Sequence, residues 1–354
     1  MSLSIGIVGL PNVGKSTLFN ALTNNKVDAS NYPFCTIDPN VGVVKVLDAR
    51  LDRIAAISRP KKIIPATIEF VDIAGLVKDA HKGEGLGNQF LANIRECQAV
   101  CEVVRNFAND NIIHVSGRID PPSDRETINL ELIYADLSTV EKRLARASKD
   151  AKSHNKDILA EKALLEKIKS ALDRGQAART LTLSDEEQKL FRSFSLLTAK
   201  PIIYVLNIDD RSGGLPVPGW DGEVIPLNIK QEEEIADLPI SEQADYIEEL
   251  GLKQSGLDKL IAASYKLLGL ITYFTTGPDE TRAWTVKAGV KAPQAAGEIH
   301  TDFEKGFVRA EIINWKDFIA AGSEAAAREK GWLRTEGKDY IIQDGDICHF
   351  LINK

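Results

Sequence analysis

The sequence predicts an α/β fold: a mostly parallel sheet, an inserted α-helical coiled-coil hairpin and a small β-rich domain that follows them. Three patterns lead to this fold class. Short apolar runs alternate with helical segments up to about residue 120 and again after residue 200, as in a parallel sheet covered by helices. Between these parts, apolar residues recur every three or four positions, which is the spacing of one helix face. From Tyr273 onward, turn residues separate short strand-like segments.

The strands of the predicted parallel sheet are short apolar runs rich in β-branched residues. They lie at Ser4–Val8, Val41–Val46, Ala66–Val71, Ala99–Val104, Ile112–Val115 and Pro201–Leu206. A first helix is expected from Thr17 onward, and Ser255–Leu268 has the spacing of a closing helix. The strands predicted for the C-terminal part are Arg282–Val286, Phe307–Ile313 and Ile347–Ile352.

Two amphipathic segments predict an antiparallel helical hairpin. Thr127–Lys152 carries apolar residues at steps of three and four, and Ile158–Leu172 resumes this spacing after a polar turn. The tetrapeptide that begins at Ser184 matches a capping box and predicts a third helix. Because strand-like alternation returns at Pro201, the hairpin is predicted to be inserted into the first domain. The predicted domains are 1–122 with 199–272, then 123–198, then 273–354.

The composition is that of an ordinary globular protein. Of the 354 residues, 44% are hydrophobic and 27% charged, and the net charge of −7 argues against a protein that coats nucleic acid non-specifically. No apolar run approaches the roughly 20 residues of a membrane span, and no secretion signal is recognised. The four cysteines lack the spacing of a disulfide framework or a metal site. A cytoplasmic protein without a membrane or DNA partner is therefore expected.

The most informative segment is Gly9–Thr17, which has the pattern G-x-x-x-x-G-K-[ST] between a predicted strand and a predicted helix. Glycines allow backbone N–H groups to surround a phosphate, and the helix N-terminus adds a favourable dipole. The pattern predicts the phosphate-binding loop of nucleotide hydrolases, in which Lys15 reaches the β- and γ-phosphates and the Ser16 hydroxyl binds Mg²⁺. The predicted nucleotide-binding residues of this loop are Asn12, Val13, Gly14, Lys15, Ser16 and Thr17.

Three further residues complete a predicted magnesium and γ-phosphate site. Asp72 ends a strand in the pattern D-x-x-G, where a carboxylate faces the loop and holds Mg²⁺ through water. In the same pattern, the N–H of Gly75 is expected to meet the γ-phosphate. Thr36 lies between the loop and Asp72, where a nucleotide switch needs a hydroxyl ligand for Mg²⁺. The alternative for Thr36 is an ordinary residue of a turn.

Three features leave open which base is bound, how fast the nucleotide is hydrolysed and whether K⁺ takes part. GTPases have N-K-x-D after the corresponding strand, whereas this chain has N-I-D-D at 207–210, so the residues alone do not decide between ATP and GTP. Leu76 stands where many GTPases have the glutamine that orients water, so either hydrolysis is slow or another group positions the water. Asn12 could help to bind K⁺ near the phosphates, or it could stabilise the loop through its side chain.

Several longer segments resemble the YchF family of Obg-like ATPases. Asn31–Ile37 is similar to the family's switch I segment, and Phe70–Val77 with Gly83–Asn88 is similar to its switch II. Arg282–Val286 and Gly297–Phe307 resemble parts of its C-terminal TGS domain. The resemblance covers nearly the whole chain. It implies a P-loop NTPase G domain with an inserted hairpin, a β-grasp-like TGS domain, ATP hydrolysis in preference to GTP, and binding to the ribosome through the large subunit and rRNA.

The resemblance also implies which residues contact the base. Phe107 would pack on the adenine, and Asn207 with the backbone of Ile208 would read its edge. Asn228 stands at the position of a base-contacting loop in related GTPases. Asp210 replaces the family's usual glutamate, which brings this motif closer to that of a guanine-binding protein.

Two more roles follow from the resemblance and compete with simpler interpretations. His114 matches a histidine proposed to replace the missing catalytic glutamine; taken alone, it would be interpreted as a residue packed beside the sheet. Basic residues on the hairpin are expected either to contact rRNA phosphates or to form a solvated helix face. These basic residues are Lys142, Arg143, Arg146, Lys149, Lys152, His154 and Lys156.

The sequence therefore favours a Mg²⁺-dependent nucleoside triphosphatase that acts as a nucleotide-controlled switch on the ribosome. Two alternatives remain at this point. Leu76 favours a slow nucleotide sensor that works as a binding module, and Asp210 favours a GTP-binding protein of the translation-factor kind.

Overall fold

The structure is a computed structural model that describes residues 3–24, 40–73, 86–109, 111–115, 117–151, 155–209 and 220–353. Several predicted functional residues lie outside these ranges, namely Thr36, Gly75, Leu76, Lys152, His154 and Asp210. Within the described ranges, no helix is long and apolar enough to cross a bilayer. The described cysteines Cys97, Cys101 and Cys348 are buried free thiols, as the absence of a disulfide pattern predicts.

The strands are β1 (Ser4–Val8), β2 (Val41–Val46), β3 (Lys62–Ile64), β4 (Ala66–Asp72), β5 (Ala99–Asn106), β6 (Ile202–Ile208), β7 (Glu223–Leu227), β8 (Leu270–Thr276), β9 (Glu280–Lys287), β10 (Phe307–Asn314), β11 (Arg334–Glu336) and β12 (Asp346–Ile352). The helices are α1 (Lys15–Asn24), α2 (Ala49–Ser58), α3 (Leu86–Glu96), α4 (Pro121–Asp150), α5 (Lys156–Asp173), α6 (Asp185–Arg192), α7 (Ile229–Asp237), α8 (Ile240–Glu249), α9 (Gly256–Leu267), α10 (Ala292–Ile299), α11 (Thr301–Lys305), α12 (Trp315–Ala321) and α13 (Glu324–Glu329).

The chain forms two compact units. The first comprises the described residues of Met1–Asn24, Ile37–Gly42 and Glu69–Lys259. The second comprises Val43–Ile68 and the described residues of Leu260–Lys354. The second unit therefore takes in 43–68 and 260–272, which the sequence interpretation placed with the first domain. The functional domain bounds given above stay a prediction.

The six strands of the first sheet lie in the order β2-β4-β1-β5-β6-β7. β1 pairs in parallel with β4 and β5, β5 with β6, and β6 with β7, which confirms the predicted parallel sheet. The central strands are buried along almost their whole length, because helices cover both faces of such a sheet. The carboxyl ends of these parallel strands share one edge, where ligands bind in open α/β sheets.

The predicted hairpin is present as α4 and α5, whose facing apolar residues form a common core. α4 begins at Pro121, six residues before the predicted start, because the Asp120 side chain accepts a hydrogen bond from Ser123 N and proline suits the first helical turn. The predicted capping box is also formed: Ser184 and Glu187 exchange hydrogen bonds at the start of α6.

Buried polar contacts join the hairpin to the sheet within this unit. Both carboxylate oxygens of Asp136 on α4 accept hydrogen bonds from Leu197 N, Thr198 N and Thr198 Oγ1 at 2.7–2.8 Å. Asp221 receives hydrogen bonds from Arg125 on α4 at 2.7 Å and from Arg179 at 2.8 Å. These charge-assisted contacts fix the base of the hairpin against the segments that flank β6 and β7.

The second unit is built on a mixed sheet in the order β11-β10-β12-β8-β9-β3. β8 and β9 form an antiparallel pair, and β12 lies parallel to β8 in the middle of the sheet. α10 packs its small apolar residues into the same core as Tyr273 and Phe307. This arrangement places a helix on a mixed sheet with a central parallel pair, and it contains all three strands predicted for the C-terminal part.

One predicted strand is wrong. The segment Ile112–Val115 forms no strand, and the Ile112 carbonyl accepts its hydrogen bond from the Arg105 side chain at 3.0 Å. Ile113 and Val115 are 79% and 54% exposed, so the apolar character of the run does not reflect a place in the sheet. A short apolar run does not identify a strand unless a neighbouring strand is there to pair with it.

Candidate nucleotide-binding site

The segment that follows β1 has a backbone that only particular residues can adopt. Gly9 and Gly14 have φ angles of +153° and +106°, and Asn12 has a φ of +62° in the left-handed region, which asparagine tolerates well. A Cβ atom on Gly14 would approach Asn207 Nδ2 to 2.6 Å. Glycine is therefore required at position 14 for both its conformation and its space, as the phosphate-loop pattern predicts.

Lys15 begins helix α1 and turns its side chain back across the loop. Its Nζ donates a hydrogen bond of 2.7 Å to the carbonyl oxygen of Leu10, and only 8% of the residue is exposed. Burial lowers the pKa of Lys15, and the nearby charge of Asp72 partly opposes that shift. The buried ammonium is thus held over the loop, where the sequence predicts that it meets phosphate oxygens.

Ser16 and Asp72 provide two neighbouring side-chain oxygens beside the phosphate loop that can act as metal ligands. The register of β1 and β4 pairs Ile7 with Asp72, and Ser16 Oγ donates a hydrogen bond of 3.3 Å to Asp72 Oδ2. A hydroxyl and a carboxylate suit Mg²⁺, which usually takes only one or two protein oxygens together with water and phosphate. These two side chains fit the predicted metal role; the third predicted ligand, Thr36, lies outside the described residues.

Asn207, near the end of β6, connects two walls of the site. Its Nδ2 donates to the Val13 carbonyl oxygen at 2.9 Å, and its Oδ1 accepts from Ile229 N at 3.3 Å. The side chain is buried between the phosphate loop and the start of α7. The structure therefore gives Asn207 a bridging role, while its predicted contact with the edge of the base stays a prediction.

A cavity of about 610 Å³ opens beside the loop within the first unit. That volume lies in the usual range of ligand sites. It brings together seven predicted residues: Asn12, Gly14, Thr17, Phe107, Asn207, Ile208 and Asn228. Its wall also contains residues that the sequence interpretation missed, namely Ala108, Asn109, Ile112, Asp209, Ile229, Lys230 and Glu233. The Asn228 side chain accepts a hydrogen bond from Gln231 N and so caps α7 at the cavity wall.

Arg105 is the most important residue that the sequence interpretation did not identify. It lies near the end of β5, is 2% exposed, and donates hydrogen bonds to the carbonyl oxygens of Phe107, Asn109 and Ile112. The available signal was an arginine near the end of a buried, mainly apolar strand that also contains Glu102, and such a buried charge normally needs a specific partner.

Asn12 lies in the phosphate loop and contacts Ile113, the residue that precedes His114 in the segment after β5. Asn12 Nδ2 donates to the Ile113 carbonyl oxygen at 3.1 Å, so its side chain joins the phosphate loop to the segment after β5, whereas an Asx-type bond within the loop and K⁺ binding both stay predictions. His114 Nε2 lies 2.8 Å from Asp124 Oδ2 on α4, and both side chains are buried. Burial raises the pKa of Asp124, although the hydrogen bond with His114 acts in the opposite direction. His114 is not among the residues that line the cavity.

The basic residues of the hairpin differ in their surroundings. Arg143 is partly buried, pairs with Glu161 at 2.7 Å and lies over the Phe194 ring, so it stabilises the hairpin. The other described members of the predicted group are exposed, namely Lys142, Arg146, Lys149 and Lys156. Exposure is compatible with either of the two predicted roles, so contact with rRNA stays a prediction.

Two family models match the chain. The family described as "50S ribosome-binding GTPase" matches residues 4–208. The YchF GTPase C-terminal family, described as a "Protein of unknown function", matches residues 270–353. Together, these matches cover the phosphate loop, the hairpin and the mixed sheet of the second unit.

Relatives of known name match the chain along its whole length. It is 54% identical to "Ribosome-binding ATPase YchF" of Bacillus subtilis strain 168 and 52% identical to the protein of that name from Escherichia coli O157:H7, with 100% of each chain covered. Its fold is similar to the solved structure of the Schizosaccharomyces pombe YchF GTPase, with a TM-score of 0.89 and 39% identity over 99% of this chain and 98% of that one. The names of these relatives thus include both an ATPase and a GTPase.

Proposed function

Because the chain belongs to the YchF family, we propose that it is a Mg²⁺-dependent nucleoside triphosphatase that hydrolyses ATP in preference to GTP and acts in the cytoplasm as a nucleotide-controlled switch on the ribosome. The observation that carries the proposal is the cavity beside the phosphate loop, which is lined by Gly14 and Thr17 from that loop and by Phe107 from the segment after β5. The ribosome as a partner and ATP hydrolysis as the activity are inferred from the names of the relatives. Binding to the large subunit through rRNA is part of the same proposal.

The chemistry proposed at the phosphate end follows from the described side chains. Backbone N–H groups of the loop and the ammonium of Lys15 bind the β- and γ-phosphates, and the dipole of α1 favours their negative charge. A phosphate oxygen is a stronger acceptor for this ammonium than the neutral carbonyl of Leu10. Ser16 and Asp72 would hold Mg²⁺, with Thr36 as the further ligand and the Gly75 N–H on the γ-phosphate. When bound, the ion neutralises negative charge on the phosphate oxygens.

The residues proposed to contact the base do not decide between adenine and guanine. The proposed preference for ATP is therefore tested by competition between ATP and GTP. Phe107 and the backbone of Ile208 lie on the cavity wall where the base is proposed to bind. With a fluorescent ATP analogue bound to the full chain, we expect ATP to displace the probe at a concentration about tenfold lower than GTP, which corresponds to about 1.4 kcal/mol. If GTP displaces the probe as well as ATP does, the alternative suggested by Asp210 is the better one.

Turnover with and without ribosomes completes this experiment. The proposal expects steady-state hydrolysis of ATP to rise when ribosomes are added, because a switch is reset where it acts. The alternative suggested by Leu76 is a slow sensor that works as a binding module. Tight nucleotide binding with no turnover in either condition would support that alternative.

His114 is proposed to position the attacking water in place of the missing glutamine. Its ring is fixed by Asp124 at 2.8 Å, which limits its orientation and suits a positioning role. We expect His114→Ala to lower kcat about 10²-fold, the usual lower range for such groups, with little change in nucleotide affinity. His349→Ala is the matched control, because that imidazole is exposed on β12. A His114→Ala protein that binds nucleotide normally and keeps the parent rate would leave only the packing role.

A further inference from the structure

We propose that Arg105 is a positioning residue that builds the base-side wall of the cavity and thereby sets how tightly the nucleobase is held. The wall in question is formed by the described residues 107–109 and 111–113, which follow β5 and include Phe107, Asn109 and Ile112. This inference rests on the proposed nucleotide binding and adds a residue that does not itself line the cavity.

The guanidinium of Arg105 makes three separate contacts with this loop. Nε donates to the Phe107 carbonyl oxygen at 3.1 Å, Nη1 to that of Ile112 at 3.0 Å, and Nη2 to that of Asn109 at 3.3 Å. The planar group carries its donors in a fixed fork, so three carbonyl groups bound to it have fixed relative positions. All three acceptor residues lie on the cavity wall. One side chain therefore determines the path of the loop.

Arg105 also orients the ring proposed to pack on the base. Its guanidinium carbon lies 4.4 Å from the centre of the Phe107 ring, a cation–π distance. The Phe107 carbonyl and the Phe107 ring are thus held by the same group. A ring fixed in this way loses little conformational freedom when a base stacks on it, and such preorganisation improves affinity.

The cost of burying this charge indicates that the loop contacts matter. Arg105 is 2% exposed, and burial lowers its pKa, while Asp124 stabilises its charge only at a distance. Among the described residues, no carboxylate accepts a hydrogen bond from Arg105. An apolar side chain at this position would avoid the desolvation cost. The buried charge is explained by what it holds, namely three carbonyl groups of the base-side loop.

The other end of the loop is tied to the phosphate loop. Ile113 follows directly after the last acceptor of Arg105, and its carbonyl oxygen accepts from Asn12 Nδ2 at 3.1 Å. The wall is therefore held by Arg105 at three points from Phe107 to Ile112 and by the phosphate loop at Ile113. A change at Arg105 is expected to move the base-side wall and to leave the backbone of 9–14 in place.

The test compares a ligand that has a base with one that has none. In the full chain, Arg105→Lys keeps the charge but replaces the fork with a single ammonium. By calorimetry, we expect the Kd of ATP and of ADP to rise about tenfold or more, whereas the Kd of inorganic tripolyphosphate should change less than about twofold. In turnover assays, KM for ATP should rise while kcat changes little, as expected for lost ground-state binding.

Further variants of the full chain make the result decisive. Arg179→Lys is the matched control, because this arginine is largely buried and pairs with Asp221, and neither residue lines the cavity; it should leave all three Kd values unchanged. Arg105→Gln, which keeps two N–H donors without the charge, replaces Arg105→Lys if that protein does not fold. In a Phe107→Ala background, Arg105→Lys should reduce ATP affinity much less than it does in the parent. Both substitutions disrupt the same base-side wall, so their effects should not add.

The outcomes separate this inference from the proposed function. Unchanged ATP affinity in Arg105→Lys, or an equal loss for ATP and tripolyphosphate, would overturn the role of Arg105. A parent protein that binds neither ATP nor GTP would instead overturn the proposed function. A larger loss for ATP than for tripolyphosphate supports the inference whichever base the parent prefers.

Discussion

Substituting Lys15→Met is expected to reduce nucleoside triphosphate turnover by about 10²–10³-fold, the range seen when one preorganised charge stabiliser is removed. The Lys15 ammonium is buried over the loop, so its interaction with developing negative charge is not weakened by water. Methionine has a similar length and no charge. The substitution therefore removes the cation without leaving a cavity.

The measurement is steady-state release of phosphate, together with thermal unfolding to show that the fold is retained. We expect the stability to change little or to rise, because the variant no longer buries a charge whose pKa is lowered by burial. Lys45→Met on β2 is the control, because Lys45 is exposed. Turnover of Lys15→Met within a factor of about three of the parent would be incompatible with the proposed role, since a catalytic cation contributes at least tenfold.

Asp72→Asn is expected to raise the Mg²⁺ concentration needed for half-maximal turnover about tenfold and to lower the maximal rate, because a neutral amide is a weaker ligand for a hard cation. Asparagine has nearly the same shape as aspartate, so the contact of 3.3 Å with Ser16 can persist without the charge. The effect should therefore appear as a changed metal dependence, and the protein should remain folded.

A titration of turnover against Mg²⁺ measures this effect, and nucleotide binding in the presence of a chelator serves as a second measurement. Glu69→Gln is the matched control, because it neutralises a half-buried carboxylate on the same strand, β4. The control should keep the Mg²⁺ dependence of the parent. An identical Mg²⁺ titration for Asp72→Asn and the parent would place the metal ligand elsewhere.

Much of the fold could be predicted because its signals are local. The strands β1, β2, β5 and β6 follow apolar runs, and the hairpin follows a regular three- and four-residue spacing. The capping box at Ser184 was predicted from four consecutive residues and is formed. The strand predicted at 112–115 was wrong. The Ile112 carbonyl oxygen accepts its hydrogen bond from the side chain of Arg105, seven residues earlier in the sequence, and not from a neighbouring strand.

The sequence by itself determined the phosphate end of the site. Nine contiguous residues, Gly9–Thr17, contain the glycines, the lysine and the hydroxyl, and Asp72 follows at the end of the adjacent strand. Each of these residues contributes its own side chain or its own backbone freedom. Their identities therefore carry the signal.

Only the tertiary structure decided how the base-side wall is built. Arg105 binds three carbonyl oxygens, and Asn207 reaches a carbonyl 194 residues away at Val13. A backbone carbonyl is present in every residue, so its use as an acceptor leaves no mark in the sequence. The residues that shape this wall become visible when folding brings a buried donor to those carbonyl groups.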